Sequence, residues 1–304
     1  MIKQLMETSI QQNTILKVQE RQLNNLEEEK IKYSEQTPIP FPSFYPEGLD
    51  SLIEQLEKLG IAKYGTEKGD LHVSYGLALD GDKIYIADEN NKRIQIFSTE
   101  GKFIHEFGEG QLNYPYGIAL HNEWVFISDW GLNAIFKFSK TNYKLIMSAK
   151  EGVVYIPLGL TTDTNGEVLV ADYINNRIAV FSSDLEFIRE IGKDKRIYPH
   201  DVKINNNNIF VADNNKINNI HIFSKSGDLL KSFIKLENGE RSIFLCFDLY
   251  NNIIISDNKG NSIKIFTLDE QLIHKIKFHS PKGIVVNNNF DIICASNDNV
   301  INVY

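Results

Sequence analysis

From residue 74 onward the chain alternates short apolar runs with clusters of turn residues. Runs such as Lys83-Ile-Tyr-Ile-Ala-Asp88 and Arg177-Ile-Ala-Val-Phe181 are rich in β-branched and aromatic residues and too short for helices. Bounded by Gly-, Asn- and Asp-rich segments, they predict strands joined by tight turns. The runs also recur. An Ile-x-x-aromatic segment closes at Phe97, Phe138, Phe181, Phe223, Phe266 and Tyr304, at intervals of about 42 residues, a period that marks blade repeats.

Two further columns keep the same period. Ala-Asp or Ser-Asp ends a run at Asp88, Asp129, Asp172, Asp213 and Asp257, with Ala295-Ser296 in the sixth place. A Ser/Pro-x-Gly segment opens the units at Gly76, Gly117, Gly159 and Gly283, with Asp201 and Phe244 standing where the fourth and fifth units lack the glycine. Each unit therefore reads as four strands, a to d. One such unit cannot bury both of its faces, and radial stacking solves that. The expectation is an all-β, six-bladed β-propeller of four-stranded antiparallel blades over residues 59–304. Small glycine is expected where inner strands crowd the axis. The recurrent Asp is expected to accept backbone N–H groups of the turn after it; five copies argue for structure over catalysis.

The sixth unit stops after its third strand, which leaves an edge to be covered. Residues 59–65 resemble the fourth strand of other units, such as Phe103-Ile-His-Glu-Phe-Gly108, and are expected to close it. Ahead of them, residues 1–36 are polar and helix-favouring, an expected helical N-terminal extension. The weak heptad pattern within residues 1–33 has Ser9, Gln12 and Gln19 at core positions. Residues 37–46 form a proline-rich linker, and residues 47–58 a short amphipathic helix that Gly60 ends.

Composition narrows the function. The formal net charge is −8 with a pI near 5.5, which disfavours a broad phosphate-neutralising surface. Two cysteines, Cys246 and Cys294, lie within apolar runs and read as buried thiols of a reducing compartment. No apolar run is long enough for a membrane helix, and the polar first residues do not read as a signal peptide. A cytoplasmic protein with no membrane partner is the expectation.

The three columns resemble the NHL-repeat family over roughly residues 60–304. Tyr114-Pro-Tyr-Gly-Ile-Ala, Val170-Ala-Asp-Tyr-Ile-Asn-Asn-Arg-Ile-Ala-Val-Phe181 and Gly-x-Gly-Gln-Leu at 108–112 carry the likeness. Phe244 and Ser296 depart from it. The resemblance extends to the propellers of TRIM-type ubiquitin ligases, in which a coiled coil precedes the NHL repeats, although this sequence has no RING or B-box pattern. It implies a protein- or peptide-binding scaffold, with single-stranded RNA as the alternative ligand because some NHL propellers bind it.

Resemblance to the zinc lyases among NHL-like propellers predicts histidines at the centre of several Ser/Pro-x-Gly segments. The residues there are Tyr75, Tyr116, Leu158, His200, Ile243 and Lys282, and one imidazole makes no zinc site. Related hydrolases hold axial calcium with carboxylates, for which Asp201 and the more distant Asp248 are too few. A lyase or hydrolase with an axial metal is thus a second alternative, and no catalytic residue, metal or cofactor is assigned. The expected binding face combines Tyr75, Tyr116, His200 and Lys282 with the b–c loop residues Trp130 and Tyr173. For RNA, the nearest cations are Arg93, Arg177 and Lys282, with Lys193, Lys195 and Arg196 in an adjoining loop. Self-association through residues 1–33 completes the expectations.

Overall fold

The computed structural model describes residues 63–149, 152–214, 220–233, 242–296 and 301–303. All of them fall within one compact unit, Leu56–Tyr304. Five four-stranded antiparallel sheets follow one another along the chain, over residues 74–107, 115–149, 157–191, 199–233 and 242–277. In each, strands a to d pair in sequence order. The innermost strands, beginning with Ser74–Asp80, Pro115–His121, Pro157–Thr162, Pro199–Asn205 and Ser242–Phe247, pack side by side from blade to blade. This is a β-propeller.

The blade count differs from expectation. The described residues form five four-stranded blades rather than six. The last repeat supplies a three-stranded sheet, Pro281–Val286, Ile292–Ser296 and Ile301–Val303. Its inner strand lies between those of blades 5 and 1, and Ile293 and Ala295 share a core with Leu77, Ile84 and Ile86 of blade 1. Of the segment expected to close it, only residues 63–65 are described. Lys63–Tyr64 pairs in parallel with Asp70–Leu71, and the Gly65 N–H continues that contact to the Leu71 carbonyl at 3.1 Å. The expected N-terminal extension, coiled coil, linker and amphipathic helix lie outside the described residues. Among the described residues no helix is long and apolar enough to cross a membrane.

The three columns have distinct physical roles. Phe97, Phe138, Phe181 and Phe223 are enclosed in the core, and Phe266 nearly so. The glycines stand where inner strands touch. A Cβ on Gly76 would lie 2.3 Å from the Tyr116 carbonyl oxygen, and one on Gly117 would lie 2.7 Å from that of Leu158. The Asp residues are buried, but their partners differ from expectation. The main donors come from the loop leading into strand a of the same blade: the N–H groups of His72, Asn113, Tyr155 and Tyr198 reach Asp88, Asp129, Asp172 and Asp213 at 2.7 Å. The turn after strand b contributes as well, through the N–H of Leu132 and of Gly260. One carboxylate thus ties both loops at the same end of a blade.

Asparagine fixes the turns themselves. Four residues after the column Asp, Lys92, Asn133, Asn176 and Asn261 adopt positive φ, where Asn is tolerated better than most residues. Asn133 and Asn261 then accept the N–H of Ile156 and Ser280, and Asn176 donates to the Ile197 carbonyl. In blades 2, 3 and 5 the b–c loop is thereby stapled to the loop leading into the next sheet. At the other end, Asn206 and Asn207, at φ 47° and 64°, form the two-residue hairpin between Pro199–Asn205 and Asn208–Asp213.

Candidate binding face

Strand a begins opposite the end of strand b in every blade (Ser74 faces Asp88, Pro115 faces Asp129), so the predicted site residues share one end of the propeller. Four of them meet at the axis. Tyr116 is buried; its ring stacks on Tyr75 at 4.4 Å between centroids and on Phe244 at 5.4 Å. The Tyr116 hydroxyl is 3.0 Å from His200 Nε2, and the His200 ring meets Phe244 edge-on. The Lys282 ammonium lies 4.0 Å from the centre of the Tyr75 ring, a cation–π contact.

The other two predicted residues belong to the rim. Trp130 folds inward: its indole N–H donates to Glu89 Oε1 at 2.6 Å, and its ring stacks on Tyr114 at 4.5 Å. Tyr173 is half-buried against the core, its ring 6.2 Å from that of Tyr198. Around them four apolar side chains are exposed, Leu132 at 38%, Tyr155 at 52%, Ile174 at 49% and Tyr198 at 42%. Their backbones sit in the stapled loops of blades 2 to 4; the Ile174 N–H donates to the Tyr155 carbonyl at 3.2 Å.

Burial governs the charges at the axis. It pushes the Tyr75 phenol up to about 12, with Glu89 adding to the effect, and the buried Tyr116 phenol well above its ordinary value. It lowers the Lys282 ammonium to about 8, partly offset by the Glu89 charge. It raises the Glu89 carboxyl, against the Trp130 N–H and Lys282. Glu89 and Lys282 thus stabilise each other across the junction of blade 1 and the last sheet.

Below this plug the axis is nearly filled. A cavity of about 10 Å³ remains between Gly76, Gly117, Gly159, Asp201 and Phe244, room for one water at most. Asp201, where a glycine would otherwise stand, is fully engaged: Oδ1 accepts the Val202 N–H and the Lys203 ammonium, and Oδ2 the Leu245 N–H. Burial raises its carboxyl even so, against Lys203 and the two N–H groups. Asp248 lies in an a–b turn, capping Tyr250 and Asn252. The two carboxylates do not converge, and no group of three potential metal ligands occurs among the described residues. A larger cavity of about 410 Å³ lies at the opposite end, between blades 3 and 4, where Asp163 pairs with Lys225 and Glu167 with Arg189.

Two of the cations expected to meet RNA, Arg93 and Arg177, are committed elsewhere. Arg93 is buried, bridging Asp88 and Glu106 at 2.9 Å and donating to the Glu67 and Asp70 carbonyls. Arg177 bridges Asp172 and Glu190 at 2.8 and 2.6 Å. Lys193 and Lys195 are exposed beside Glu190 and Asp194. Sequence reasoning missed Phe244 as an axial side chain, although its place in the glycine column marked it. It also missed the aromatics just ahead of the Pro column, Tyr114, Tyr155 and Tyr198, which form much of the rim.

A propeller with an aromatic plug on its axis and a pinned apolar rim is the class that these features define. Within it, residues 76–97 and 155–181 match the NHL repeat. The chain is 25% identical over 173 residues to Protein brain tumor of Drosophila melanogaster, a match covering 56% of this chain and 13% of that protein. Among solved structures it resembles virginiamycin B lyase from Staphylococcus aureus (TM-score 0.59, 18% identity, 76% of this chain and 83% of that one). It also resembles a streptogramin B lyase (0.62, 17%, 82% and 86%) and hydrazine synthase of Kuenenia stuttgartiensis (0.60, 13%, 75% and 75%). At these identities the structural likeness concerns the fold alone.

Proposed function

We propose that the strand-a end of blades 2 to 4 binds a protein or peptide, and that this face serves as a non-catalytic binding scaffold resembling the NHL propellers of TRIM-type proteins. One observation carries this reading: Leu132, Tyr155, Ile174 and Tyr198 are exposed together on loops whose backbones are held by buried carboxylates. Preformed apolar and aromatic groups of this kind anchor partners at little ordering cost. Trp130 and Tyr173 support the rim, while Tyr75, Tyr116, His200 and Lys282 form its floor. In the same reading residues 59–65 complete a sixth blade, residues 1–33 mediate self-association, and the buried unpaired Cys246 and Cys294 fit a cytoplasmic setting.

Capture experiments with the full chain test it. A partner retained after RNase treatment and lost in a folded Tyr155→Ser, Ile174→Ser, Tyr198→Ser variant supports the proposal. Retention by that variant overturns the choice of face. Loss on RNase treatment favours the second reading, single-stranded RNA, for which the resemblance to NHL propellers and the rim aromatics speak. A propeller lyase or hydrolase with an axial metal has the fold likeness in its favour but finds no converging ligands among the described residues.

A further inference from the structure

Blade 4 satisfies its column carboxylate differently from blades 1 and 3. In those two blades an arginine on strand c bridges the Asp to a glutamate on strand d, Glu106 or Glu190. These glutamates face Gln95 and Ala179 across the c–d ladder. The corresponding rung in blade 4 is His221 facing Ser232. There the imidazole takes over the bridge: Nε2 lies 3.0 Å from Asp213 Oδ2, and Nδ1 lies 2.7 Å from Ser232 Oγ.

Strands b, c and d thus contribute one member each to a carboxylate–imidazole–hydroxyl relay. Asp213 is 3% and His221 9% exposed, whereas Ser232 faces solvent. In the tautomer that points the Nε2 proton at the buried carboxylate, Nδ1 offers its lone pair to the serine hydroxyl. A guanidinium in that place orders a glutamate; a neutral imidazole takes a proton from a hydroxyl as the oxygen attacks.

We propose that Ser232 is an activated nucleophile that takes acyl groups from activated esters. Oγ bonds to the acyl carbon as its proton passes to His221 Nδ1. The bond to the leaving alkoxide breaks, and that alkoxide receives the proton, giving an acyl-serine and an alcohol. The relay supplies base catalysis alone, which selects activated esters over amides, whose attack also needs oxyanion donors. The proposal is independent of the binding face.

A fluorophosphonate probe tests it, since Oγ then displaces fluoride to form a stable adduct. Peptide mapping of the labelled full chain should place the adduct on Ser232, absent in Ser232→Ala. Labelling should fall about 100-fold in His221→Gln, shown folded by circular dichroism, and equally in the parent unfolded in urea. If His221→Gln does not fold, the native-to-unfolded comparison decides alone. No adduct at Ser232 in the native protein, or one formed equally fast after unfolding, overturns the proposal.

Discussion

Glu89 accepts the indole N–H of Trp130 at 2.6 Å, joining the b–c loops of blades 1 and 2 across the face. The contact is largely enclosed, so removing the acceptor leaves the donor unpaired. Glu89→Ala should cost about 1–3 kcal/mol, whereas Glu89→Gln, which keeps a carbonyl acceptor and sheds a desolvated charge, should stay within about 1 kcal/mol. Urea midpoints of the two variants separate the outcomes. Equal loss in both would mean that the charge, not the hydrogen bond, matters.

Lys282 makes stability depend on alkaline pH. Burial lowers its folded-state value to about 8, below the ordinary value near 10.4. Between those values the unfolded chain binds more protons, so this group's contribution to stability rises with pH across that window. Below about 8 the cost of burying the ammonium is complete. Lys282→Met should therefore stabilise the protein at pH 7 by about 1–3 kcal/mol, an advantage that shrinks toward pH 10. Unfolding measured at both pH values checks this, and a constant difference would contradict it.

The axial glycines should respond by contact rather than by conformation. A Cβ on Gly76 meets only backbone, the Tyr116 oxygen at 2.3 Å and the Gly117 Cα at 3.0 Å, so Gly76→Ala must push neighbouring inner strands apart and should cost about 3 kcal/mol. Gly81 has open space around it but φ of +60°, and Gly81→Ala should cost about 1 kcal/mol. Thermal unfolding of the pair compares the two.

Arg93 and the exposed basic loop should differ sharply in their effects. Arg93→Met strips a buried ion pair from Asp88 and should destabilise by about 3–5 kcal/mol. Replacing Lys193, Lys195 and Arg196 together with alanine should change stability by no more than about 0.5 kcal/mol. If RNA binds at all, the triple variant should also show a shallower dependence of affinity on salt. An unchanged slope would remove that loop from the interface.

The repeat columns made the radial architecture legible because each obeys one local rule: small at the strand crossing, acidic at the strand end, aromatic in the core. What failed needed distances between separated segments of the chain. The donors to Asp88 or Asp172 come from residues well ahead in sequence, and the periodicity alone pointed to the nearer turn. Arg93 and Arg177 read as surface cations because their partners Glu106 and Glu190 lie on another strand, where register decides the meeting. Trp130 was expected on the face, yet its bond to Glu89 depends on two loops from different blades. The likeness of residues 59–65 to a fourth strand said nothing of Asp70–Leu71, which holds a portion of that segment.

The filled axis sets the style of any inhibitor. With Phe244 and Tyr116 occupying the centre and about 10 Å³ left beneath, a fragment-sized compound finds little on this axis to enclose it. Competitors for the proposed face would have to be broad and shallow, spreading over three blades as a macrocycle or miniprotein does. Selectivity among related propellers would then come from the outline of the loops, not from depth.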